Sequence, residues 1–151
     1  MLGKLRDIEI EAVLRNNLLG RIGCHEDGKT YVVPVNYVFD RNCIIAHSMP
    51  GMKIAIMRKN PQVCFEVDEV KDFMNWRSVI VWGEYQEITD TMERYRAMKF
   101  FVGHTLKVKI SETAMTPEMS EMRIHPAYNS NMKPVIYRIV IQEKTGRYEK
   151  E

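Results

Sequence analysis

A chain of 151 residues, 45% hydrophobic and 28% charged, has the length and balance of one ordinary globular domain, residues 1–151, able to bury about two-thirds of its unfolded surface around one core. Its formal net charge of +2 is close to neutral, so a nucleic-acid partner would need a concentrated basic patch, and the only candidates, Lys107 with Lys109 and the mixed-sign stretch from Glu143, read as solvated surface. The longest uncharged apolar run, Ser78 to Gly83, is too short to span a bilayer, and Lys4, Arg6, Asp7, Glu9 and Glu11 break up any leader-like stretch, so a cytoplasmic protein with no membrane partner is expected.

Taken in chain order, Ile10, Val13 and Leu14 at helical spacing behind Asp7, a candidate N-cap, predict a short helix over about Asp7 to Asn16, placed to plug one end of a barrel. Strand-like segments follow, separated by turn residues: Leu19 to His25, Asp27-Gly28, Thr30 to Phe39, Asp40 to Asn42, then Cys43 to His47. Helical spacing returns from Met52 to Asn60, with Pro50 ahead of it and Asn60-Pro61 ending it. Val63, Phe65 and Val67 alternate with Cys64, Glu66 and Asp68 as in a half-buried strand, and Ser78 to Ile88 reads as another.

Asp90 with Glu93 signals a helix running to Phe101, where Gly103 sits as a C-terminal cap. From Thr105 to Pro134 there is no clean period, so irregular structure with short helical turns is expected, lying over a neighbouring subunit. Met115, Met119 and Met122 there read as core filling in preference to a substrate pocket. Val135 to Gln142 is the expected closing strand and 143–151 a frayed tail. The fold class is therefore mainly β with short α-helices, a six-stranded antiparallel barrel without open edges.

Cys24, Cys43 and Cys64 form no C-x-x-C pair, and their odd number points to reduced thiols, mostly buried. His25, His47, His104 and His125 lack zinc-ligand spacing with them.

The segment His47-Ser48-Met49-Pro50-Gly51-Met52-Lys53 carries the chemistry. A strand ends and a helix begins there, so unpaired N–H groups and the positive end of a helix dipole meet. Ser48 adds a hydroxyl donor, Gly51 admits close approach, and Lys53 supplies a full positive charge, a set that suits a phosphate; an ordinary helix start with an exposed lysine has the same residues. In Val32-Val33-Pro34-Val35-Asn36-Tyr37, Pro34 cannot donate to a ladder and is expected at an edge or a bulge. A strand that opened there would turn main-chain atoms of Val33 and Val35 and the Asn36 amide toward a flat heterocycle. Trp76 adds an aromatic surface and Arg77 a second anion-binding head.

Together, V-V-P-V-N-Y, H-S-x-x-G-x-K, N-P-x-V-x-F-E-V-D and W-x-S-V-I-V-x-G, in this order over Ile8 to Ile88, resemble the pyridoxamine 5'-phosphate oxidase-like superfamily of FMN-binding split barrels, nearest to its nitroimidazole-resistance reductase branch. The resemblance implies a homodimer with two FMN molecules in clefts between subunits. Ser48 and Lys53 would hold the phosphate with His47 close by; Val33, Pro34, Val35, Asn36 and Tyr37 would line the isoalloxazine; Trp76 and Ser78 would approach from the other side of the cleft. Met52 stands where members commonly have Arg or Lys, with Arg58 and Arg77 as candidate replacements. The substrate-phosphate residues of true pyridoxamine phosphate oxidases find no match, so vitamin B6 oxidation is not expected. The implied activity is an FMN-dependent oxidoreductase passing electrons from NAD(P)H to a small oxidised compound such as a nitroaromatic. The alternatives are a flavin- or haem-binding sensor without turnover, with His47 or His104 as iron ligand, and a single-strand nucleic-acid binder stacking bases on Tyr31, Tyr37, Phe39 and Tyr85, which the near-neutral charge opposes.

Overall fold

The computed structural model describes residues 1–112 and 133–151. Seven strands and three helices follow in the order β1 (Leu2–Lys4), α1 (Asp7–Asn16), β2 (Leu19–Glu26), β3 (Lys29–Asp40), β4 (Cys43–Ser48), α2 (Met52–Lys59), β5 (Gln62–Asp72), β6 (Asn75–Glu87), α3 (Thr91–Glu112) and β7 (Val135–Glu149). All pairings are antiparallel, in the order β1-β7-β4-β3-β2-β5-β6, and β7 also pairs with β6, closing the ring. Six strands make the expected barrel. The seventh, β1, takes over the edge of β7 at Arg147–Glu149, beyond the point where β4 has ended at Val135–Val140.

Local chemistry sets the joints. Asp27 and Gly28 both have positive φ (48° and 75°), as do Arg41 and Asn42 (48° and 62°), so two tight turns join β2 to β3 and β3 to β4. The Asn42 side chain donates to the Ile141 carbonyl at 3.1 Å, which ties the second turn to β7. Apolar residues facing inward on alternate positions, among them Ile22, Phe65, Val67, Val79, Val81, Ile44 and Ile139, fill the barrel, and Ile10, Val13 and Leu14 of α1 plug one end as expected. The plug is capped one residue earlier than predicted: Arg6 precedes the helix, and its N–H donates to the Glu9 carboxylate at 2.7 Å. On the outside, Phe101 and Ala97 of α3 cover Val38, Ile45 and Ile136 of β3, β4 and β7.

Two expected boundaries move. Helix α3 runs past Gly103 to Glu112, because burial of Phe101, Thr105 and Leu106 outweighs the roughly 1 kcal/mol cost of an interior glycine. Residues 143–149 are not a frayed tail. They continue β7, paired with β6 from Glu143 to Glu149. Their inward position is Gly146, where a Cβ would lie 2.8 Å from Ile10 and 2.9 Å from Leu5, so no apolar alternation marks the strand. The expected irregular segment is helical over its first residues, to Glu112; its remainder, with Met115, Met119 and Met122, lies outside the described residues. Among the described residues no helix is long and apolar enough to cross a membrane. Of the three free cysteines, Cys24 is buried and Cys43 and Cys64 are half-buried.

Candidate functional site

Strand β4 delivers His47 and Ser48 to opposite sides of the barrel wall. His47 packs its ring edge-on against Phe101 of α3, with centroids 4.8 Å apart, whereas Ser48 lies on the side of Ala46 and donates its hydroxyl to the Met49 carbonyl at 2.8 Å. Gly51 is extended (φ −169°), and a Cβ there would meet nothing closer than 3.9 Å, so this chain's own packing does not require a glycine. Helix α2 then starts at Met52 with no acidic residue in its first turn. Lys53 is half-buried; burial pushes its pKa below the ordinary value, and among the described residues no carboxylate forms an ion pair with it. A cation in the first turn of a helix opposes the dipole, so the junction is electropositive and suits an anion. Neither candidate replacement for the arginine missing at Met52 lies there in this chain. Arg58 is paired with Glu87 at 2.9 Å, and Arg77 lies at the far end of the barrel.

Strand β3 does not open at Pro34. Its register with β2 is continuous, pairing Pro34 with Arg21 and Asn36 with Leu19. Pro34 is tolerated for the other expected reason: β4 pairs with β3 only from Tyr37 to Asp40, so the first half of β3 is an edge. Tyr37 N–H donates to the Leu18 carbonyl at 2.9 Å, and the antiparallel alternation then ties Val33 and Val35 to β2 as well. The main-chain groups turned to the open edge are those of Val32, Pro34 and Asn36. Side chains divide in the same way. Val35 and Tyr37 point into the core, Val33 is half-buried beside them, and Pro34 and Asn36 are exposed.

Trp76 and Ser78 lie elsewhere. Gly83 pairs with Val63 next to α2, and Trp76 pairs with Val70, seven residues or about 23 Å further along the ladder. The Trp76 indole N–H donates to Glu149 at 3.1 Å. Around it opens a cleft of about 1000 Å³ lined by Lys4, Glu69, Arg77 and Tyr148 among others. One chain therefore keeps Ser48 and Lys53 at the junction of β4 and α2, turns His47 to the other side of the wall against Phe101, and brings none of these to Trp76 and Ser78. Pro34 and Asn36, which are exposed, and Trp76 and Ser78, which are half-buried, do share something: all alternate onto the outer sheet face that α3 leaves uncovered.

That face holds a group the sequence reading missed. Glu66 and Asp68 sit side by side with one cation, Arg21, 3.9 Å from Glu66 and 3.3 Å from Asp68. Glu66 Oε1 is buried with no hydrogen-bond partner among the described residues, and burial, then the Asp68 carboxyl, push the Glu66 pKa up to about 7 against the pull of Arg21. The signal was the E-V-D spacing, which puts both acids on one strand face. The Tyr137 hydroxyl is also buried without a partner among the described residues. His104 stacks on Phe100 and hydrogen-bonds the Arg15 carbonyl at 3.1 Å, an engagement that disfavours iron ligation.

The family model described as pyridoxamine 5'-phosphate oxidase matches residues 6–148. An FAD-binding protein from Mesorhizobium loti is 32% identical, with TM-score 0.74 over 99% of both chains. A 5-nitroimidazole antibiotic resistance protein of Bacteroides thetaiotaomicron, so designated by inference, shares the fold at 18% identity, with TM-score 0.71 over 98% of this chain and 87% of that one. An uncharacterized protein of Rhizobium meliloti is 39% identical over 83 residues, and the chain spans 55% of that relative's length.

Proposed function

Because the chain belongs to the pyridoxamine 5'-phosphate oxidase family, we propose that it holds a flavin nucleotide, FMN, by its phosphate at the start of α2. The observation that carries this is Lys53, a half-buried cation in a helix's first turn with no anion paired to it among the described residues. Ser48 and the first N–H groups of α2 complete the anion cradle, and the open edge of β3 at Pro34 and Asn36 offers main-chain groups to a flat ring. Trp76 and Ser78 lie too far from Lys53 to meet one cofactor within a chain, which supports a homodimer in which a second copy supplies them. FAD is the second reading, favoured by the Mesorhizobium loti relative being an FAD-binding protein. Both nucleotides present a phosphoryl group at the same position of the flavin.

The bound flavin supplies the redox chemistry, and the chain's residues hold and orient it. The activity is transfer of electrons from NAD(P)H to a small oxidised substrate such as a nitroaromatic. The test is the absorbance spectrum of protein purified without added cofactor, chromatography of the released flavin, and anaerobic addition of NAD(P)H. Flavin bands that bleach support the reading, and FMN or FAD is read from the chromatogram. A colourless protein that binds neither added flavin, or a Soret band, overturns it; bound flavin that no donor reduces leaves a binding protein and removes the oxidoreductase.

A further inference from the structure

The outer face of β3, β2, β5 and β6 combines two features that conflict in an isolated chain. Val32, Leu19, Ile80 and Trp82 are exposed there at 64%, 50%, 36% and 39%, and Pro34, Gly23 and Cys64 lie between them, an apolar surface that no helix among the described residues covers. At its centre stand Glu66, Asp68 and Arg21. Two carboxylates against the one guanidinium paired with them leave one negative charge per chain unless a proton fills it, and Glu66 Oε1 is already cut off from solvent with no hydrogen-bond donor among the described residues.

We propose that this face is where the second copy seats, and that Glu66 and Asp68 enter the contact sharing one proton, so that assembly tightens as pH falls and loosens as it rises. The inference rests on the two-copy reading above, which needs Trp76 and Ser78, both on this face, to meet a cofactor held by the other chain. Strand β2 contributes Arg21 and, toward its end, His25; β5 contributes the two acids and Cys64; β6 contributes Ile80 and Ser78; β3 contributes Pro34; and β7, beyond β6, contributes Arg147 opposite Ser78, with Lys4 of β1 beyond it. Among the described residues Arg21 is the one cation in ion-pair contact with the two acids, and a two-fold partner brings an identical set, so joining two ionised copies sets four carboxylates against their two paired guanidiniums in a site losing its water. One proton per copy removes the excess. The sign follows: burial favours the protonated acid, the dimer binds more protons than two separate chains, and its affinity falls as pH rises through the Glu66 range near 7.

The test is sedimentation velocity on the full chain between about pH 6 and about pH 8.5, for wild type, Glu66→Gln and Val32→Glu. Wild-type dimer affinity is expected to fall at least tenfold across this range, with about a hundredfold per pH unit the limit for two linked protons. Glu66→Gln, whose amide mimics the neutral acid, is expected to dimerise equally at both ends. Val32→Glu, on the exposed rim, is expected to stay monomeric, and its circular dichroism reports that it folds. A flat wild-type profile, the same slope in Glu66→Gln, a slope of opposite sign, or a Val32→Glu dimer of wild-type affinity overturns the proposal. Flavin content is read separately: a colourless dimer with this slope supports the contact and sinks the cofactor reading, whereas a yellow monomer sinks the contact and leaves the Lys53 assignment standing.

Discussion

The phenolic hydroxyl of Tyr37 donates to the main-chain oxygen of Leu14 at 2.7 Å, inside the core. Leu14 lies in the last turn of α1, where carbonyls have no helical partner, so this bond fastens the plug to the barrel wall. Burial raises the Tyr37 pKa, which keeps the hydroxyl a donor throughout the neutral range. Tyr37→Phe leaves the carbonyl buried and unpaired and is expected to cost about 1–3 kcal/mol. Denaturant unfolding measures this. Flavin content per folded molecule is expected to stay unchanged, because the ring packs edge-on against Phe65, 5.1 Å between centroids, with its face and hydroxyl turned to the core.

Gly83 and Gly103 predict opposite signs for the same substitution. A Cβ at Gly83 would lie 2.4 Å from the Val140 carbonyl oxygen and 2.8 Å from Ile139, at the register shift where β6 meets β7 and the barrel closes. Backbone has to move, so Gly83→Ala is expected to destabilise by about 1–3 kcal/mol or more. Gly103 is exposed within α3 with nothing within 4 Å of a Cβ, so Gly103→Ala is expected to stabilise by up to about 1 kcal/mol. Paired thermal melts decide both. Equal shifts in one direction would show that the strand closure is looser than these distances imply.

What could be read from residues alone follows the same physics. The strands from Leu19 to Phe39 and the α1 plug were legible because each carries a full apolar period. Gly103 misled because a glycine that ends many helices here lies on an exposed face and ends nothing. Strand β7 was cut short because Gly146 replaces the apolar residue its period requires. The phosphate-like junction was legible as His47, Ser48 and Lys53 lie within seven consecutive residues. Its separation from Trp76 was not, since only the β5–β6 register gives the distance, and Glu66 was hidden because an acid at an outward strand position looks solvated until its neighbours are known.

Removing residues 143–151 tests whether the end of the chain is structural. Deletion strips β6 of its partners from Trp76 to Trp82, removes the edge that β1 pairs with, and exposes Leu5 and Ile10 where Gly146 packs. The shortened chain is expected to lose cooperative unfolding and to aggregate, since an opened barrel has two unpaired edges. A sharp melt at the full-length temperature would restore the frayed-tail expectation.

Lys53 and Lys107 separate site from surface. Both are lysines on helices, but Lys107 is exposed, whereas Lys53 is half-buried at the electropositive end of α2. Lys53→Ala is expected to weaken flavin retention tenfold or more, the loss of a charge-assisted contact worth about 1.5–3 kcal/mol, and Lys107→Ala to leave it unchanged. Burial favours the neutral amine, so the flavin-free protein's affinity for inorganic phosphate is expected to fall with rising pH before an ordinary lysine, at 10.5, would lose its proton. Equilibrium dialysis of added flavin against each variant measures the first effect, and phosphate titration followed by calorimetry the second. If both variants retain flavin as the wild type does, the anion is held somewhere other than the start of α2, because no other charged side chain has been assigned to that junction.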